Sequence, residues 1–152
     1  MLKITNISLT VFGYMTEEVD RIEQIIKNIL PFEIRNDNFT HIKSFSQFGD
    51  KFSIMNYETE NYEEVYQIMK DIGKNMSKTE KLKVKGKLKK LIDLDEKKIY
   101  FRLNKFDLYN NEIIFDEGND VLKIEISYNT YNKNENNYDK IENLFKLNEW
   151  IN

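Results

Sequence analysis

The sequence has no cysteine, a single proline and a single histidine. The first absence removes disulfides, thiolate catalysis and thiolate metal sites together. His41, the lone imidazole, has no nucleophile or metal-ligand cluster accompanying it, so it reads as a structural or exposed residue rather than a catalytic one. No glycine-rich phosphate loop follows a strand, and the carboxylates are scattered rather than paired at a recognisable spacing. Catalytic, metal and cofactor-binding residues are therefore not expected, and an enzyme is the least favoured class. No apolar run approaches the roughly 20 residues that cross a bilayer. The chain opens directly on a strand-like pattern, without a basic region leading into an apolar segment and a cleavage site, so a cytoplasmic protein with no membrane contact is expected.

What is present is enough for one core. The 152 residues are 40% hydrophobic and 32% charged, both globular values. A chain of that length buries roughly 68 to 70% of its unfolded surface on folding. Net charge is −3, an unfavourable balance for a nucleic-acid binder, but the charge is unevenly placed. Residues 74–90 hold eight lysines against Glu80 alone, while the flanking stretches 1–73 and 91–152 are each acidic by five charges.

Periodicity orders the elements. Leu2 and Ile4, then Ile7, Leu9 and Val11, alternate as a strand with a phase shift at Thr5-Asn6 that suggests a bulge, and Gly13 is expected to end it. Thr16 offers an N-cap oxygen, with Glu17 and Glu18 complementing the helix dipole behind it. Val19, Ile22, Ile25, Ile26 and Ile29 then predict a helix that Pro31 stops. Phe32 to Arg35, Phe39 to Ile42 and Phe52 to Tyr57 read as strand pieces around turns at Asn36-Asp37-Asn38 and Gly49-Asp50. Asn61-x-x-Glu64 caps a second helix with Tyr62, Val65, Met69 and Ile72 as its buried stripe, Tyr66 beside it and Gly73 at its end. Ser77-x-x-Glu80 caps a third, from about Lys78 to Leu91, with Val84, Leu88 and Leu91 inward. The Lys-apolar alternation of Lys81 to Lys89 suits a strand equally, but the capping and the helix propensity of Lys and Leu favour the helix.

From Lys98 to Tyr128 two strands surround a charged corner and the turn Asp116-Glu117-Gly118-Asn119-Asp120. Phe101 to Lys105 alternates, and Leu122, Ile124, Ile126 and Tyr128 share one face of the second strand. Asn129 to Asn137 is a polar linker, and Ile141, Leu144, Phe145, Asn148 and Ile151 mark a terminal amphipathic helix. Residues 1–128 thus form an α+β domain and 129–152 a linker with an added helix.

The run Asp95 to Lys105, then Tyr109, then Asp120 to Ile126, resembles the C-terminal half of a small archaeal domain family described as predicted RNA-binding proteins linked to the exosome. The strand-borne Arg102-x-x-Lys105 matches that family's Arg-x-x-Lys, with Phe106 where the family carries Gln. Phe48-Gly49-Asp50 stands at its aromatic-Gly-Asn turn, with Gln47 in place of the preceding His, and Gly13-Tyr14-Met15-Thr16-Glu17 stands at its His-Ala-Thr-Glu stretch. The resemblance spans roughly residues 1 to 128. It implies an architecture like that of the large-subunit ribosomal protein that contacts five-S ribosomal RNA. It also implies a non-catalytic role in archaeal RNA processing or degradation, with RNA as partner and the exosome or other RNA-processing proteins as further ones. The element order agrees with a two-layer fold, an antiparallel or mixed sheet of about five strands with helices on one face.

Lys81, Lys83, Lys85, Lys87, Lys89 and Lys90 are the candidate phosphate contacts, the alternative being a solvated helix face. Six lysines over nearly three turns cannot all face one strand. Arg102 and Lys105 join them as candidates, although alternation puts them on opposite faces unless the strand bends, and a structural ion pair of these cations with Asp107 or Asp120 is the alternative. Phe48, near Phe45, is a candidate for stacking on an unpaired base or else a core plug. The competing reading is a protein-interaction module or dimerising adaptor, using the acidic surface and a terminal helix that carries Leu144, Phe145, Trp150 and Ile151. That helix serves a homodimer, an external partner or its own core.

Overall fold

A computed structural model describes residues 2–14, 19–45, 47–130 and 137–151. Its centre is β1 (Leu2–Tyr14), which pairs antiparallel with β3 (Lys51–Thr59) on one side and with β6 (Val121–Thr130) on the other. Outside these lie β2 (Phe39–Phe45) against β3, β5 (Lys98–Asn104) against β6, and the two-residue β4 (Ile92–Asp93) against β5. The six-stranded order is β2-β3-β1-β6-β5-β4, and every pairing is antiparallel. The expected bulge is present: the β1–β6 register shifts between Ile4 and Asn6, which returns Ile7, Leu9 and Val11 to the inward face.

One layer of helices covers the inward side. It comprises α1 (Val19–Ile29), α2 (Tyr62–Asn75), α3 (Lys78–Leu91), the short α4 (Lys105–Tyr109) and α5 (Asn137–Leu147). The buried stripes of these helices meet the inward strand residues in one core, where Ile22, Ile26 and Ile29 join Phe101, Leu103, Ile124 and Ile126. Asn61 and Ser77 cap α2 and α3 as their spacing suggests, each side chain accepting from the amide three residues on, and α3 is a helix rather than a strand. The cap expected at Thr16, with Glu17 and Glu18, lies outside the described residues, as does most of the polar linker.

Five local expectations are corrected. Phe32 to Arg35 forms no strand, because no neighbouring strand takes up its amides; the added strand is β4, visible only through its pairing with β5. Gly13 does not end β1, which continues to Tyr14. Gly13 lies where α1 crosses closely, and a Cβ there would stand 2.9 Å from Ile22 Cγ1. Gly73 does not end α2, which runs to Asn75; a Cβ at Gly73 would lie only 1.9 Å from the Asn148 carbonyl oxygen, so this glycine admits the chain after α5. Tyr62 is exposed against the Tyr66 ring, and Ile68 completes the stripe in its place. Between β5 and β6 the charged corner is helical, α4, capped by Asn104.

The terminal segment packs on the same core. Trp150 is fully buried and donates from Nε1 to the Met69 carbonyl at 2.6 Å, while its ring and that of Phe145 pack against Phe101. Intramolecular docking is thus the use the structure makes of these aromatics.

Candidate nucleic-acid interface

Helix geometry sorts the lysines of α3 into two groups. Glu80, Val84 and Leu88 form its buried seam. At 100° per residue, Lys83, Lys87 and Lys90 lie on one flank of that seam and Lys81, Lys85 and Lys89 on the other. The second flank turns toward α5, where Lys89 Nζ stands 5.0 Å from the Tyr138 ring centroid. The first flank forms one wall of a cleft of about 270 Å³ between α3 and β5.

That cleft has an apolar floor and cationic walls. Phe101 and Phe115 lie beneath it, Tyr100 and Arg102 line its β5 side, and Asp116 and Glu117 close one end. Lys83 is fixed by the buried Glu80 carboxylate at 2.8 Å, whose other oxygen accepts from the Phe115 amide. Lys87 pairs with the exposed Glu117 at 2.8 Å. Lys90 makes no ion pair among the described residues. Arg102 donates to the carbonyls of Glu117 and Gly118 at 3.3 and 3.4 Å. Lys87, with Lys90 and Arg102 farther off, holds the Glu117 carboxyl below its usual range. The Gly118 amide and then Asn104 do the same for Asp116. Both carboxylates stay charged at neutral pH, so the turn 116–120 acts as an internal anion on the cationic cleft. An exposed pair such as Lys87–Glu117 is weak, and a phosphate oxygen is able to replace it.

The other candidates separate. Lys105 is only 1% exposed. It opens α4, donates to the Phe12 carbonyl at 3.0 Å and lies 3.9 Å from Asp120, with the Tyr14 ring 5.1 Å away. The chain bends into α4 between Arg102 and Lys105, but the bend turns Lys105 inward instead of bringing the two cations together. The packing of Lys105 against Tyr14 does bring two of the family-like stretches into contact. Phe48, in the β2–β3 turn, is 83% exposed and Phe45 is 65% exposed, so neither plugs the core. His41 is exposed on edge strand β2. The cleft's Tyr100, Phe115 and Glu117 went unnoticed in the sequence; the alternation of β5 signals an outward Tyr100, but nothing local signals that Phe115 bridges to Leu103.

Residues 6–128 match the model of the family described as RNA binding. The chain belongs to that family. Its fold is shared by archaeal DUF54 proteins of known structure. One from Archaeglobus fulgidus is 19% identical with a TM-score of 0.80, over 93% of this chain and 99% of that one. One from Sulfolobus solfataricus is 23% identical at 0.72, over 93% and 98%. One from Methanothermobacter thermautotrophicus is 16% identical at 0.71, again over 93% and 98%. A shared 93% of the chain is more than residues 6–128 make up, so the likeness of fold reaches beyond the family model's span. No curated protein matches the chain. No helix among the described residues is long and apolar enough to cross a membrane, and they hold no group of three or more acidic or histidine side chains placed to take a metal ion.

Proposed function

We propose that this member of the RNA-binding family binds RNA without chemically altering it, and that it serves in RNA processing or degradation. The observation that carries the reading is the convergence of Lys83, Lys87, Lys90 and Arg102 on one cleft in an otherwise acidic protein. These cations flank an apolar, aromatic floor, the pairing of a phosphate-binding wall with a surface that accepts a base. Tyr100 and Phe115 contact the base, and the lysines and Arg102 contact the phosphates. Lys81, Lys85 and Lys89 add long-range attraction from the far flank, and exposed Phe48 offers a further ring. Lys105 supports the site from inside, because its ammonium holds the end of β1 to the start of α4.

The adaptor reading loses one of its two surfaces, since Phe145, Trp150 and Ile151 are consumed by the core. Filter binding at low ionic strength, with protein shown to be folded by circular dichroism, tests the proposal. RNA is retained, and retention falls as salt rises because bound phosphates release counterions. Absence of retention refutes it.

A further inference from the structure

The sheet face turned away from the helices carries a second, unassigned surface. Alternation places Phe12 and Tyr14 of β1 on that face, and the register sets Phe52 of β3 directly across from Tyr14 and Ile54 across from Phe12. Tyr14 is 48% exposed and the other two rings are partly so. Cations border them: Lys123 Nζ is 5.5 Å from the Phe12 ring centroid, and Arg102 is its cross-strand neighbour on β5. The acidic residues that β3 and β6 place on this face lie toward its other end and are engaged, Glu125 by Lys98 at 2.6 Å and Glu58 by Asn6 at 2.7 Å. At the ring end Asp120 lies 3.9 Å from the Lys105 ammonium, which stands 5.1 Å from the Tyr14 ring centroid.

We infer that the Phe12–Tyr14–Phe52 end of the open sheet is a stacking platform for the unpaired bases of single-stranded RNA. The inference rests on the RNA-binding reading and extends it to the class of RNA. Flat rings beside cations match bases joined by phosphates. An apolar protein surface seated here would instead bury Lys123, which makes no ion pair among the described residues, beside the Phe12 ring alone. A duplex is a poor occupant, because its base faces are already stacked and only unpaired bases present theirs. Arg102 joins the two surfaces: it projects from β5 on the open face and reaches the Glu117 carbonyl at the cleft. One strand leaving the α3–β5 cleft over the edge of β5 therefore meets Lys123 and then the rings.

The test compares a labelled unstructured oligouridine with an RNA duplex of equal length by fluorescence anisotropy across salt. Tyr14→Leu/Phe52→Leu keeps apolar bulk and removes the ring faces, and Tyr14→Phe/Phe52→Tyr keeps the faces. Tyr14→Leu alone, at a half-exposed ring, serves if circular dichroism shows the pair disturbed. The leucine pair is expected to bind oligouridine roughly 5- to 100-fold more weakly, with its salt slope and duplex affinity unchanged, while the aromatic pair binds like the parent. Equal oligouridine binding by parent and leucine pair, equal loss on duplex, or a parent that prefers duplex overturns the platform and leaves the lysine cleft standing. A parent that binds neither RNA overturns the cleft as well.

Discussion

The division of α3 into two lysine flanks can be tested with a matched pair of variants. Lys83→Gln/Lys87→Gln/Lys90→Gln and Lys81→Gln/Lys85→Gln/Lys89→Gln remove the same charge from the same helix, so any long-range effect of net charge cancels between them. Only the first set lines the cleft. Each lost contact to a single strand lowers the slope of log affinity against log salt by about 0.7. Three lost contacts therefore give about 2.1. Lys83 and Lys87 already have Glu80 and Glu117 as counter-ions and exchange one anion for another, so the lower bound is one contact, about 0.7. Across a fourfold rise in salt these slopes correspond to roughly 2.6- to 18-fold less loss of affinity than in the parent. The second set is expected to change the slope by much less. Gln at position 83 retains a donor for the buried Glu80, and thermal melting confirms that each triple variant is folded. Filter binding of an unstructured RNA at several salt concentrations supplies the slopes. Equal slopes for the two triples would show a diffuse charge effect and refute an oriented cleft.

Two further outcomes concern the core. Trp150→Ala removes a fully buried ring and leaves the Met69 carbonyl without its donor, so a loss of about 3 to 5 kcal/mol is expected in the urea midpoint; a loss below about 1 kcal/mol would mean the terminal segment is not part of the folding unit. Tyr57 is buried and its hydroxyl donates to Glu64 at 3.1 Å, and burial first and that carboxylate second push its pKa up to about 12. Its folded-state pKa lies above the unfolded value, so its contribution is whole below about pH 10 and declines as pH rises through about 12. The parent is therefore expected to lose more stability over that interval than Tyr57→Phe, and parallel pH–stability curves would contradict the assignment.

Much of the fold was legible because its signals are local. The isoleucine stripe of α1 and the alternation of β1 and β6 each report burial within a few residues, and Asn61 and Ser77 mark helix starts with their own side-chain oxygens. Two segments depend on distant partners. Phe32 to Arg35 has a strand's composition but no strand beside it, whereas Ile92-Asp93 becomes a strand only because β5 arrives next to it. At the site, charge clustering pointed to α3, but the split of its lysines required knowing which face is buried. Lys105 looked like a surface cation because the carbonyl that receives it, on Phe12, lies 93 residues earlier. Phe48 carried two readings, a ring for an unpaired base or a core plug, and no local signal separates them; its exposure in the β2–β3 turn does.

The sheet order has a consequence for how the chain reaches this structure. β1 is made early yet ends up in the middle, with one edge waiting for β3 and the other for β6, whose Thr130 pairs with Leu2. Closing that second edge joins residues more than a hundred positions apart, and the entropy of such a loop must be overcome before the ladder returns any stability. Assembly should therefore be slow for a chain of this size. Until β6 arrives, Ile7, Leu9 and Val11 belong to a strand with an open hydrogen-bonding edge, the arrangement that invites pairing with another chain. Refolding yield is then expected to fall as protein concentration rises, while the finished protein, whose central strand is paired on both sides, stays insensitive to it.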